Sequence, residues 1–464
     1  MAMHRRVLGK QMDLCTGPFF KKIIIYTLPI IATSILQLLF NAADLIVVGQ
    51  FGGSYSDKAI SAVGATGSLI NLLVGLFMGL SLGAGVCVAQ GIGARDDARV
   101  SRAVHTAIPA ATICGAFLTV VGIALAPVLL ELMDTPEEVI DLSVIYMRIY
   151  FAGIIPNLLY NFGAAILRSA GDTRSPLIYL TVAGVLNVVL NLFFVLVCRM
   201  TVDGVALATA LAQTVSCVLV LRKLMLREDA CKIVLKKLRI DGPALKRMIR
   251  IGLPAGVQGS LFAISNVTIQ SSINSFGPVV LAGSTAAGNI EGFVYVAMNS
   301  FQQTAMTFVG QNMGAAKYKN IGKVTGLCLL CSGVIGIVAG GACRLAAPQL
   351  LSIYLKDNAQ AIAYGVTRMN YVCLLYFMCG LMDVLSGSMR GMGASTVPMA
   401  VTVLGVCGLR ILWIATIFQK VHTVECLFLS YPVSWVVTVT TLAVCFMVLW
   451  TKTMKKQKLQ LKQA

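Results

Sequence analysis

Charge is what this sequence has least of. Only 12% of its 464 residues are Asp, Glu, Lys or Arg, against about 25% in an average soluble domain, which excludes a water-solvated globular surface. Acids are scarcer than bases, 19 against 37. Histidine occurs three times, as His4, His105 and His422, each near the end of an apolar run or in a tail. No run interior then offers a His-based metal or nucleophile constellation, and an intramembrane enzyme is set aside. A phosphate-cradling Gly-x-x-x-x-Gly-Lys-Ser/Thr loop is also missing, so nothing points to ATP as the direct energy source. The basic segment before Lys22 is not followed by a small-residue cleavage site, and no removable signal peptide is expected. Cysteine is plentiful at 14, but mostly inside apolar runs; even Cys328-x-x-Cys331 lies mid-run. Packing rather than redox or metal chemistry explains such thiols, and no structural disulfide is expected.

What fills the chain is hydrophobic side chain, 57% of it, with a mean hydropathy of +0.83. Apolar runs long enough to cross a bilayer core of about 30 Å recur twelve times, near 23–49, 59–86, 102–126, 139–166, 174–198, 204–225, 252–275, 280–309, 322–345, 361–388, 396–417 and 424–450. The net charge of +18 does not call for nucleic acid, because of where the bases fall. Residues 1–22 hold five Lys and Arg, 222–250 hold ten, and the tail from Lys452 holds five. The 127–138 loop has Glu131, Asp134, Glu137 and Glu138 and no base. That asymmetry fixes both termini on the cytoplasmic side of a cytoplasmic (inner) membrane, with some attraction to anionic lipid along 232–239.

The runs form two copies of one unit. Leu28-Pro29 opens the first run and Leu253-Pro254 the seventh. Gln90-x-x-Gly93-Ala94 returns as Gln311-x-x-Gly314-Ala315, and Pro127-x-Leu129-Leu130 as Pro348-x-Leu350-Leu351. Arg168-x-x-Gly171-x-x-x-x-Pro176 returns as Arg390-x-x-Gly393-x-x-x-x-Pro398, an offset of 222. Six spans per copy is an even number, so the copies insert the same way up, with a substrate path at their interface near the midplane. The expected architecture is an all-α polytopic membrane protein: a cytoplasmic segment 1–22, an N-lobe 23–225, a basic linker 226–250, a C-lobe 251–450 and a basic tail 451–464. Gly75, Gly79 and Gly83 make a small-residue ladder for close helix packing. Gly79-x-Ser81-x-Gly83 within it is not a nucleophile elbow, since it lacks the strand-to-helix turn. Asn266-Val267-Thr268 falls inside a span and is a silent sequon.

Polar side chains inside the spans carry the functional signal. Gln37, Asn41 and Asp44 share a helical face at i, i+4, i+7. An acid at a span centre costs about 2.5–3.5 kcal/mol on insertion scales and reads as functional. Asn187 and Asn191 are one turn apart on the fifth span, as are Thr209 and Gln213 on the sixth. With Asp44 they offer one negative charge and several neutral oxygens, a set that suits a proton or a hard cation such as Na⁺. Singly, the Asn and Thr residues read as interhelical hydrogen bonding worth about 0.6 kcal/mol each. In the second copy Asn266, Gln270 and Asn274 share a face, Gln258 and Ser265 another, and Glu291, Tyr295, Asn299 and Gln302 a third. Glu291 and Asp383 are embedded acids, so the cavity they line is expected to be negative and to attract lipophilic cations. Asp383 stands seven residues before Arg390, where an ion pair competes with that role. Arg148 and Arg368 are explained by snorkelling; Arg410 has no partner legible in the sequence.

These motifs resemble those of the multidrug and toxic compound extrusion (MATE) family, in the multidrug/oligosaccharidyl-lipid/polysaccharide exporter superfamily. The resemblance covers about residues 20–450 and rests on the duplicated twelve-span plan and AADLIVVG in the first span. It rests also on Q-x-x-G-A after spans two and eight, LRSAGDTRSP with its RGMGASTVP echo, and GVALAT opening span six. It implies a V-shaped pair of lobes and export of organic cations, many of them drugs, in exchange for H⁺ or Na⁺, with no other cofactor. The family's N-lobe cation site maps onto Asp44, Asn187, Asn191 and Thr209, which would also be the ligands of any Na⁺. Asn191 stands where the family commonly has Asp, leaving one carboxylate, and the seventh-span Glu of some branches is absent. Substrate contacts are expected from Gln37, Asn41, Gln258, Asn266, Glu291, Tyr295, Gln302 and Asp383, in a monomer. The alternative is a lipid-linked oligosaccharide flippase of the same superfamily, which needs a cationic cavity for a pyrophosphate.

Overall fold

In hydrocarbon no water satisfies backbone N–H and C=O groups, so a chain this apolar is stable only where each segment bonds to itself, as helix. The computed structural model describes residues 12–51, 56–133, 135–355 and 358–463. His4, the bases of the first ten residues and Asp134 lie outside the described residues. The first copy runs through α1 (Phe19–Phe51), α2 (Ser56–Gly93), α3 (Asp97–Glu131), α4 (Glu137–Ala152), α5 (Ile154–Ser169), α6 (Arg174–Leu192) with a π-helical turn Phe193–Val197, and α7 (Val202–Met225). The second runs through α8 (Gly242–Asn274), α9 (Pro278–Gly314), α10 (Tyr318–Leu345), α11 (Ala347–Leu355), α12 (Ala359–Val372), α13 (Phe377–Gly391), α14 (Thr396–Thr402), a π-helical stretch Val403–Gly408, α15 (Leu409–Lys420) and α16 (Val424–Gln463).

Nine of these segments are long and apolar enough to cross a membrane among the described residues, and eleven when the pairs α4–α5 and α12–α13, each bent by 48°, count as one span. The twelfth is α8, where Gln258, Asn266, Gln270 and Asn274 dilute the apolar run. The twelve-helix, two-copy plan of a multi-pass membrane protein therefore holds.

The repeat extends to the backbone itself. Arg95 and Ala316, just after the two Q-x-x-G-A motifs, both adopt left-handed φ, 55° and 54°. Each helix closes there with a bond reaching back five residues, Asp96 N–H to the Gly91 carbonyl at 3.1 Å and Lys317 N–H to that of Asn312 at 2.9 Å, a Schellman-type end. Gly171 (φ 84°) and Gly393 (φ 90°) turn the chain out of α5 and α13 in the same way.

By internal contacts the chain divides into two compact units. One holds Leu28–Ser260 with the described residues up to Asp13; the other holds Leu14–Thr27 and Leu261–Ala464. In the first unit Leu118, Leu130, Met147, Phe151, Leu158 and Val205 belong to one buried core. There α2 and α8 cross at glycine: a Cβ on Gly79 would lie 2.3 Å from the Gly256 nitrogen, and one on Gly83 2.3 Å from the Met248 carbonyl oxygen. Gly75 has open space instead, so two rungs of the expected ladder are in use. Ser81 is mid-helix and donates to the Met78 carbonyl at 2.7 Å. In the second unit Phe301 and Phe308 of α9 are fully buried, with Tyr26 edge-on to Phe308 at 5.3 Å. Cys328 and Cys331 are buried free thiols packed within α10.

Candidate functional site

In the first unit the helical face read from the sequence is assembled. Gln37, Asn41 and Asp44 of α1 line a cavity of about 60 Å³ together with Asn187 of α6 and Thr209 and Gln213 of α7. Close approach is possible because α6 has glycine opposite Phe40; a Cβ on Gly184 would lie 1.8 Å from that ring. Asn191 is fully buried, and its Nδ2 donates to Asp44 Oδ1 and to Asn187 Oδ1 at 3.3 Å. Asn187 Nδ2 donates in turn to Thr209 Oγ1 at 3.2 Å, whose hydroxyl donates to the Val205 carbonyl at 3.0 Å. The chain of bonds starts at the carboxylate and runs through neutral groups alone. No Lys or Arg lines this cavity, and Asp44 has no ion-pair partner among the described residues. Asn191 Oδ1 is buried without a hydrogen-bond partner there, an acceptor still open to a cation.

The second unit encloses a larger cavity, about 390 Å³, and here the residues singled out from sequence separate. Asn266 and Gln270 of α8, Glu291 and Tyr295 of α9 and Asp383 of α13 line it. Gln302 does not; it is reached through Asn299, whose Nδ2 donates to Gln302 Oε1 at 2.9 Å and to Asp383 Oδ2 at 3.1 Å. Gln258 is buried in the first unit and lines neither cavity.

Two expectations are corrected. Arg368 does not snorkel: its Nε and Nη2 bind both oxygens of Glu291 at 3.1 and 2.8 Å, and its Nη1 donates to Ser284 Oγ at 2.7 Å. Only its repeat counterpart Arg148 is exposed, donating to the Ile123 carbonyl at 3.4 Å. Nor is the cavity negative, since Arg368 and Arg410 line it beside Glu291 and Asp383. Arg410, unexplained by sequence, donates from Nε to Ser434 Oγ at 3.0 Å and lies over the Tyr431 ring at 4.2 Å. Tyr376, Tyr431 and Trp435 supply aromatic wall that sequence reading missed; an arginine embedded mid-span was the signal that could have found it.

The MatE family model matches residues 29–193 and 254–415, one match in each copy. The chain is 25% identical over 446 residues to the "Probable multidrug resistance protein YoeA" of Bacillus subtilis (strain 168), covering 93% of this chain and 94% of that protein. It is likewise 25% identical over 398 residues to a "Probable multidrug resistance protein NorM" of Thermotoga maritima, 84% of each chain. A solved outward-facing multidrug resistance MATE family transporter of the MOP superfamily shares its fold at a TM-score of 0.88 and 21% identity, over 96% of this chain and 100% of that one. Both copies of the unit are matched and the twelve-helix fold is shared: the chain belongs to the MatE family of membrane transporters.

Proposed function

We propose that the protein is a secondary active antiporter of the cytoplasmic membrane, both termini cytoplasmic, exporting cationic amphiphilic compounds in exchange for inward H⁺ or Na⁺. The single observation that carries this is Asp44, an acid within a span whose hydrogen-bond donor is an amide and whose cavity holds no base. An intramembrane acid matched by arginine, as Glu291 is, already has its counter-charge beside it. Asp44 is free to alternate between charged and neutral forms. Cavity size divides the labour. About 60 Å³ takes an ion or a few waters, whereas about 390 Å³ is within the usual range of small-molecule pockets, roughly 300–1,000 Å³.

Asp44 takes H⁺ or Na⁺ on the outer side and releases it inside; for Na⁺ the oxygens of Asn187, Asn191 and Thr209 complete the ligand set. Neutralising the carboxylate changes what Asn191 donates to, and so the α1–α6 contact. Pro29 leaves α1 one backbone bond short and able to bend. Ion occupancy thereby biases two helix packings, which is the coupling. The protein works as a monomer in the lipid bilayer. The second reading is the flippase: Arg368 and Arg410 are the cations a pyrophosphate would need, but Arg368 is engaged by Glu291. In everted vesicles, Asp44→Asn abolishes gradient-driven efflux of ethidium while protein remains in the membrane; wild-type efflux by that variant sinks the assignment.

A further inference from the structure

Two arginines, Arg368 and Arg410, and two carboxylates, Glu291 and Asp383, line the cavity of the second unit. Arg368 is paired with Glu291, and Arg390 is the base whose charge acts on Asp383. Arg410 has no carboxylate of its own among the described residues. It is 4% exposed, always charged, and set in a span where an uncompensated charge is unfavourable. Ser434 holds its Nε and the Tyr431 ring lies 4.2 Å from its guanidinium carbon. That fixes the plane of the fork, and the hydrogen bond to Ser434 is the one it makes among the described residues. A planar guanidinium with N–H groups to spare matches a carboxylate or phosphate bidentately. Beside it Tyr376 and Trp435, ring centroids 5.5 Å apart, form an aromatic wall of the same cavity.

We propose that this cavity binds the anionic group (carboxylate, sulfonate or phosphate) of an aromatic amphiphile, with Arg410 as the anchor and Trp435 with Tyr376 as the surface for its ring. The inference rests on the reading above in calling this ligand a cargo, and it adds to that reading an anionic group held by Arg410. The test is equilibrium binding to the purified full-length protein, with no ion gradient, so its result is separate from the Asp44 experiment. The probes are 1-pyrenebutyrate, its uncharged methyl ester and 1-pyrenemethylammonium, followed by quenching of tryptophan fluorescence. Wild type binds the butyrate at least tenfold tighter than the ester, a comparison that needs no variant. Arg410→Gln weakens butyrate binding at least tenfold and ammonium binding less than twofold, with an unchanged or higher melting temperature without ligand; Arg410→Lys falls between. Equal binding of butyrate and ester, or equal weakening of butyrate and ammonium, overturns the proposal. Arg410-dependent binding of dodecyl phosphate tighter than of pyrenebutyrate overturns the aromatic cargo in favour of a lipid phosphate.

Discussion

A buried acid is defined by what stands next to it, and the three embedded acids have three different neighbours. Asp44 meets neutral amides, Asp383 meets Asn299 within reach of Arg390's field, and Glu291 meets a bidentate arginine. Helical spacing alone gathered Gln37, Asn41 and Asp44, because three residues on one face need no knowledge of the neighbouring helix. Spacing gave Asn187 and Thr209 only as members of two separate faces, which the family resemblance joined into one site, and the Arg368–Glu291 pair was not legible at all. A position near a span end does not reveal whether an arginine turns outward or inward. The pair makes a direct prediction. Removing one partner strands the other, so Glu291→Gln lowers the stability of the purified protein by about 3–5 kcal/mol. The double variant Glu291→Leu/Arg368→Met, which takes away both charges, recovers most of that loss. Thermal unfolding of the two variants reads the difference; equal losses would show that the pair is not what Glu291 contributes.

Most helix ends were legible from hydropathy and the repeated motifs, but the basic, polar ends were not: α8 begins at Gly242 and α16 runs to Gln463, well outside the runs at 252–275 and 424–450. The interruptions were missed. The runs at 139–166 and 361–388 read as single spans, yet each is bent by 48°, at Gly153 and at residues 373–376. The bends recur at equal places in both copies, but only the first is marked: Pro156 has no N–H for the Ala152 carbonyl and breaks the helix at Gly153, whereas residues 373–376 hold neither proline nor glycine. Where a motif demands an unusual backbone it recurs in both copies, and it can be tested there. Gly171 has φ 84° and an added Cβ would lie 2.9 Å from the Met12 carbonyl oxygen. Gly171→Ala therefore costs at least about 1 kcal/mol. Ala316 sits at φ 54° with a side chain, so Ala316→Gly changes stability in the opposite direction, by up to about 1 kcal/mol. Melting temperatures that move the same way in both variants would contradict this account of the turns.

At the scale of the whole molecule, duplication has produced two units with unlike polar interiors. The repeat was plain from motifs at offsets near 222, but the divergence lies in side chains that no motif contains. The first unit keeps one carboxylate among neutral oxygens in a small cavity; the second matches Glu291 with Arg368 and adds Arg410 to a cavity several times larger. If ion coupling belongs to the first and cargo recognition to the second, substitutions in the two must fail differently. In proteoliposomes carrying an imposed pH or Na⁺ gradient, Asp44→Asn removes the gradient's effect on the initial rate of ethidium movement. Whichever gradient drives the wild type identifies the coupling ion. Asp383→Asn, whose partner Asn299 can bond an amide as it bonds a carboxylate, raises KM but leaves the ratio of driven to undriven rate intact. A variant at Asp383 that transports at an undriven rate under every gradient would place coupling in both units, and the separation of tasks between them would have to be abandoned.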